Sequence, residues 1–233
     1  MNLKITKLTR LYRSKAALSG VDLELSGGDV CLLLGPNGSG KTTLMKLIAG
    51  LVSPSSGSIE LDGETLRTPH KARIAYMPTE NYFYNYMSVK NVGRYYADFF
   101  ADFDMDGYLS MIDRAEMEPD MRIRTLSSGM SAKLRLALTL SRDADVMMFD
   151  EPINGVDMLT RDWVLDEIAR RRDERRIMLI STHLVEQAEK LANCAAFLRR
   201  GQLALCGRMD EICREAALED VYRSMYGGRG EVE

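Results

Sequence analysis

The chain has 233 residues, long enough for one good core or for one domain carrying a smaller lobe. Its formal net charge of −3 supplies no basic field for nucleic acid or anionic lipid, so no nucleic-acid partner is expected. No apolar stretch approaches the ~20 residues that span a bilayer, and Cys31, Cys194, Cys206 and Cys213 lack paired spacing, which favours reduced thiols and the cytosol.

Residues 3–8 alternate apolar and polar as a half-buried strand does, and this start lacks the long apolar centre of an export signal. Residues 21–25 and 58–61 read the same way, the second closing on Asp62-Gly63, so antiparallel strands are predicted on either side of what lies between. There, Val30-Cys31-Leu32-Leu33-Leu34 is a continuous apolar run, a buried strand, and residues 43–48 return to helical spacing. Gly35-Pro36-Asn37-Gly38-Ser39-Gly40-Lys41-Thr42 therefore sits at a strand-to-helix turn. Its glycines accept backbone conformations closed to other residues and turn N–H groups inward, where the positive end of the helix attracts anions. Lys41 is placed to reach terminal phosphates, and the Thr42 hydroxyl to ligate the Mg²⁺ that accompanies a nucleotide. His70, after Pro69 in a polar connection, reads as a surface residue.

From about 88 to 142 strand signals vanish, and 89–103, 106–115 and 130–140 follow helical spacing, which predicts an inserted helical lobe. Aromatic residues crowd its start. Spacing assigns Tyr95, Phe99 and Phe103 to the core of the lobe, and leaves Tyr82 to Tyr86, in a loop, either to a partner's helix or to packing. Leu126-Ser127-Ser128-Gly129-Met130 precedes the last of these helices; Ser127 or Ser128 suits its N-cap, and the helix end suits either a plain cap or an anion.

The apolar run 146–149 ends in Asp150-Glu151, and strand ends in an open α/β sheet face the ligand crevice. Asp150 suits a Mg²⁺ shell, while Glu151 suits accepting a proton from, or orienting, a water that attacks phosphate. Residues 177–180 form another apolar run, ending at Ser181-Thr182-His183, with an imidazole able to bond a phosphate oxygen. With 195–198, these runs alternate with helical patterns, as in a parallel sheet wound by helices. Arg170-Arg171-Arg172 with Arg175-Arg176 reads as a solvated helix end whose cations suit the dipole. Two short helical patterns follow Gly207, and the glycine-rich 227–233 reads as a frayed tail.

In this order the segments resemble the ATP-binding subunit of an ABC transporter over nearly the whole chain. Gly35 to Thr42 resembles the Walker A loop, 126–130 the signature, 146–151 the Walker B strand, 154–157 the D-loop and His183 the switch histidine, while Tyr12 falls where the family stacks an aromatic on adenine. The resemblance implies an α/β fold, a P-loop NTPase core of mainly parallel sheet with an antiparallel β flank and an inserted helical subdomain, as one domain over 1–226. ATP and Mg²⁺ are the implied cofactors, with Lys41, Glu151 and His183 as catalytic residues. The implied nucleotide contacts are Tyr12, Gly35, Pro36, Asn37, Gly38, Ser39, Gly40, Lys41, Thr42, Thr43, Ser127, Gly129 and Asp157.

The implied partners are a second ATPase subunit, closing head to tail so that Ser127 and Gly129 of one chain meet ATP on the other, and a separate transmembrane permease at the cytoplasmic face. The ending Leu218-Glu219-Asp220-Val221-Tyr222 resembles the ABC-2 branch, which tends to serve exporters. Two departures stand out. Ser128 and Met130 replace the usual glycine and glutamine of the signature, which implies weakened closure. Thr79, in Tyr76-Met77-Pro78-Thr79-Glu80, stands where similar proteins carry a glutamine that links Mg²⁺ to the membrane partner; a water bridged by Thr79, or Glu80, is expected in that role. A weakly hydrolytic regulatory subunit and a nonmembrane ABC ATPase are the competing readings, the second opposed by length.

Overall fold

The computed structural model describes residues 1–227, so most of the expected frayed tail lies outside the described residues. In chain order, β1 (Asn2–Tyr12), β2 (Lys15–Ser26), β3 (Val30–Leu34), α1 (Lys41–Ile48), β4 (Ser56–Leu61), β5 (Glu64–Thr65) and β6 (Ile74–Met77) come first. Three helices follow, α2 (Val89–Phe99), α3 (Met105–Arg114) and α4 (Ser128–Leu140). The remainder is β7 (Val146–Asp150), α5 (Met158–Arg170), β8 (Ile177–Ser181), α6 (Val185–Ala188), β9 (Cys194–Arg199), β10 (Gln202–Arg208), α7 (Met209–Ile212) and α8 (Leu218–Tyr226).

These strands make two sheets. An antiparallel one runs β2-β1-β4-β5, and a six-stranded one runs β10-β9-β3-β8-β7-β6, parallel except for β10. The continuous apolar runs of β3, β7 and β8 are covered on both faces of the parallel sheet, so these strands are buried at every position. Cys31 and Leu33 of β3, with Met148 and Leu179, face the antiparallel flank and α1, whereas Leu32 and Leu34, with Phe149 and Ile180, face the helical side. The fold is thus the mainly parallel P-loop core with an antiparallel flank that the sequence predicts. Arg73 ties the two sheets together, its Nε donating to Asp145 at 2.5 Å and its Nη2 to Asp62 at 2.7 Å.

Between β6 and β7 the chain is helical. Ser88 and Asp104 cap α2 and α3, accepting from the N–H groups of Asn91 and Gly107. Helix α2 is shorter than its spacing suggests, because the backbone becomes extended at Phe100. It buries Val89, Val92 and Gly93 and packs Tyr96 on the core, a set at i, i+3, i+4 and i+7. Tyr95 and Phe99, expected in that core, lie on the other side of the helix and are 44% and 68% exposed; Phe103 is buried.

Two further expectations need correction. Arg176 is not solvated: it is buried, with Nε donating to the Ala144 carbonyl at 3.1 Å and Nη2 to Asp143, because it enters β8, whose pairing with β7 sets it beside the turn before β7. Arg171 is half-buried there and donates to the Arg142 carbonyl. Nor is His70 a mere surface residue, since its Nδ1 accepts from the Arg67 N–H at 3.0 Å, leaving Nε2 to donate to Glu64 at 3.2 Å. Among the described residues no helix is long and apolar enough to cross a membrane, and the four cysteines are unpaired thiols.

Candidate nucleotide site

The strand order brings the carboxyl ends of β3, β8 and β7 side by side, which places the loop after β3 against the residues that end the other two. Gly35 has φ +154°, and a Cβ there would lie 2.4 Å from the Leu198 carbonyl oxygen, so the close approach of the loop to β9 requires glycine. Gly40, at φ +112°, is the N-cap of α1 and offers no side chain, so the first-turn N–H groups keep their capacity for an anion. Ser39 is buried and its Oγ has no protein partner among the described residues, as suits a hydroxyl meant for a ligand.

Lys41 is also buried, and its ammonium donates to the Gly35 carbonyl at 2.7 Å and the Pro36 carbonyl at 3.3 Å. Its Nζ lies 3.6 Å from Glu151 Oε1, while Glu151 Oε2 lies 3.0 Å from His183 Nδ1. Lys41 and Glu151 line a cleft of about 310 Å³, and His183, behind Glu151, lies outside that lining. Asn37, Gly38, Ser39, Gly40, Thr42 and Thr43 line this cleft from the loop side, and Thr79, Glu151 and Asn154 from the opposite side.

Asp150 is fully buried at the end of β7, and both of its carboxylate oxygens accept from hydroxyls. Ser181 Oγ donates to Oδ1 at 2.6 Å and Tyr76 OH donates to Oδ2 at 3.1 Å. Burial, and after it the Asp150 charge, push the Tyr76 pKa upward, so the group stays a phenol and a donor. Thr79 Oγ1 donates to the Asp150 carbonyl at 3.2 Å. Glu151 then turns the chain at φ +49°, its N–H donating to the Ser181 carbonyl and to Ser181 Oγ.

Other expected site residues lie elsewhere in the protomer. Tyr12 is 43% exposed, its ring covered on one face by the Arg10 guanidinium at 4.6 Å, and it is not part of the cleft lining. Ser127, rather than Ser128, caps α4 and accepts from the Met130 N–H at 3.2 Å. Gly129 packs under α5, where a Cβ would come within 2.9 Å of Thr160 Oγ1. Asp157 caps α5, and its bonds from Thr160, the backbone N–H first and then the hydroxyl, hold its carboxyl below the usual range. Ser127, Gly129 and Asp157 therefore lie together around the starts of α4 and α5, apart from the cleft lining, with Ser127 exposed and Gly129 buried. Glu80 is exposed and outside the lining, whereas Thr79 is within it.

Sequence reasoning gave Tyr76 and Ser181 no role in the site and named Asn154 only as part of the D-loop segment. A polar residue ending an otherwise apolar strand was the available signal for Ser181, but its pairing with Asp150 depends on strand register. The Thr42 hydroxyl and the Asp150 carboxylate are hard oxygen donors, few in number, as fits Mg²⁺, which keeps several waters and leans on phosphate oxygens.

Comparison with known proteins agrees with this geometry. The ABC transporter family profile matches residues 18–154, more than half of the chain. The ABC transporter ATP-binding protein YtrB of Bacillus subtilis (strain 168) is 31% identical over 219 residues, covering 91% of this chain and 74% of the relative. The Nod factor export ATP-binding protein I of Cupriavidus metallidurans is 30% identical over 218 residues, covering 90% and 72%. A solved ATP-binding subunit of an ABC transporter superposes with a TM-score of 0.85 at 24% identity, over 97% of this chain and 99% of that one. The cassette MJ0796, in a dimeric post-hydrolysis state bound to ADP and Pi, gives 0.79 at 18% identity, over 89% and 98%. At such identities the structures speak for the fold, while the profile and the sequence relatives carry the family. With its phosphate loop, paired acids and parallel sheet all in register, the chain belongs to the ABC transporter family as an ATP-binding subunit.

Proposed function

We propose that the protein hydrolyses ATP as a dimer and powers export through a separate transmembrane permease. The observation that carries hydrolysis is Glu151 in the phosphate-loop cleft, held between Lys41 within the cleft and His183 behind it. Glu151 accepts a proton from, or orients, the attacking water, and His183 steadies its carboxylate. Lys41 exchanges the Gly35 and Pro36 carbonyls for phosphate oxygens, stabilising charge that grows in the transition state. Thr42 and Asp150 are the residues that would hold Mg²⁺, which supplies charge neutralisation to the phosphates when bound. Ser39 and the uncapped start of α1 take the remaining phosphate contacts.

Dimerisation is supported by the separation of the signature surface from the cleft. Ser127 and Gly129 sit at a helix N-terminus outside the cleft lining, so a second protomer is needed to bring them to ATP. A permease contact is supported by Tyr82, Tyr84, Tyr86, Tyr95 and Phe99, all well exposed around the start of the helical region. Export rests on the chain's ending and on its similarity to the Nod factor export ATP-binding protein. Binding without turnover, as in a regulatory subunit, is the second reading, favoured by Thr79, whose hydroxyl is engaged with the Asp150 carbonyl.

Purified wild-type and Glu151→Gln proteins separate the two. Hydrolysis is expected to fall at least ~100-fold in the variant, in line with the loss of a general base, while ATP binding persists. Equal turnover in both proteins removes Glu151 from catalysis, and ATP binding without turnover in the wild type selects the regulatory reading.

A further inference from the structure

Asp150 ends the strand between β6 and β8, and each neighbour presents one hydroxyl to it. From β8 comes Ser181, whose Oγ donates to Oδ1 at 2.6 Å while accepting the Glu151 N–H at 2.9 Å. From β6 comes Tyr76, whose ring reaches past its register partner Met148 to donate to Oδ2 at 3.1 Å. A carboxylate is soft about its terminal torsion, so a donor on one oxygen leaves its plane poorly defined. Donors on both oxygens, from opposite sides, fix that plane. They use two of about four lone-pair positions and leave the others for a metal ion or its waters.

The support for Tyr76 is itself braced. Arg135, buried on α4, donates to the carbonyls of Pro78, at 2.8 Å, and Thr79, which hold the chain just beyond Tyr76. Thr79 in turn donates to the Asp150 carbonyl. The segment after β6 is therefore clamped between the Asp150 backbone and α4.

We infer that Tyr76 is a positioning residue for the metal site: together with Ser181 it sets the orientation of Asp150 and thereby the affinity of the nucleotide complex for a divalent cation. This rests on the nucleotide reading above. Tyr76 touches neither phosphate nor reacting atoms in this role; it acts through Asp150.

The test uses the full chain with ADP, and Mn²⁺ as the metal probe followed by electron paramagnetic resonance. ADP affinity in EDTA is measured beside it. Tyr76→Phe keeps the ring and removes the donor, and is expected to weaken Mn²⁺ binding in the ADP complex by roughly tenfold while the metal-free ADP affinity stays within about twofold. Ser181→Ala, which removes the opposite donor, is expected to act in the same direction and serves should the first variant fold poorly. Unchanged Mn²⁺ affinity in both variants overturns the inference, and so does a parallel loss of both affinities, which marks loosened packing. Wild-type protein that binds no ADP, with or without Mn²⁺, overturns the nucleotide reading instead.

Discussion

Glu151 holds a backbone conformation that side chains rarely adopt, φ +49°, at the point where β7 gives way to the D-loop. The turn aims its carboxylate at Lys41 and His183, and two bonds to Ser181 keep the backbone there. Left-handed geometry costs a residue with a Cβ about 1 kcal/mol, a strain of the kind that functional sites retain. Two variants isolate it. Glu151→Gly and Glu151→Ala both lose the carboxylate, so only the backbone preference differs between them. The glycine variant is expected to be more stable than the alanine variant by about 1 kcal/mol in urea denaturation, with neither hydrolysing ATP. Equal stabilities would mean that the turn relaxes once the side chain is gone. Its acidity and its place after an apolar run made Glu151 legible in the sequence. The strained turn, and the Ser181 hydroxyl that supports it, were not, because both follow from the pairing of β7 with β8.

Helix α2 shows how phase is decided above the residue. Its aromatic residues fit more than one helical face, and spacing alone sent Tyr95 and Phe99 inward. The helix instead turns Val89, Val92 and Gly93 to the core, where a Cβ on Gly93 would meet the Tyr108 ring at 2.3 Å. Tyr108 is fully buried and its hydroxyl donates to the Val89 carbonyl at 2.7 Å, so the ring locks the rotation of α2. Tyr95 and Phe99 stay outside as a tilted pair with centroids 4.8 Å apart. Replacing both with serine is expected to change stability by no more than about 0.5 kcal/mol, as for exposed positions. Phe103→Ala, at a buried ring, is expected to cost about 3 kcal/mol in the same denaturation experiment. If the permease contact is correct, the double serine variant also fails to co-purify with the membrane subunit; retention of that subunit would place the contact elsewhere.

At the scale of the whole molecule, the strand order gathers the cleft within one protomer but leaves Ser127 and Gly129 outside it, at the start of α4 beside Asp157 and Thr160. A composite site in a head-to-tail dimer has a simple consequence. Lys41→Ala damages the phosphate loop. Ser127→Asp keeps a residue able to cap α4 but sets a negative charge against phosphate. Each variant alone is expected to be inactive, and an equal mixture to recover part of the wild-type hydrolysis, because a mixed dimer holds one site with both halves intact. A mixture as inactive as its parts would argue that each protomer works with its own signature.

The sequence by itself determined the local chemistry: the glycines and lysine of the phosphate loop, the acids that end β7, and the apolar runs whose length and composition made buried parallel strands. Those features act within a few residues of one another, so their spacing is their geometry. Tertiary structure alone decided which serine caps α4, which face of α2 meets the core, and why Arg176 is buried. It also brought Tyr76 and Ser181 to the two oxygens of Asp150 from either side. Each of those outcomes depends on register across the sheet or on the rotation of a helix against it, and both are set by packing between segments far apart in the chain.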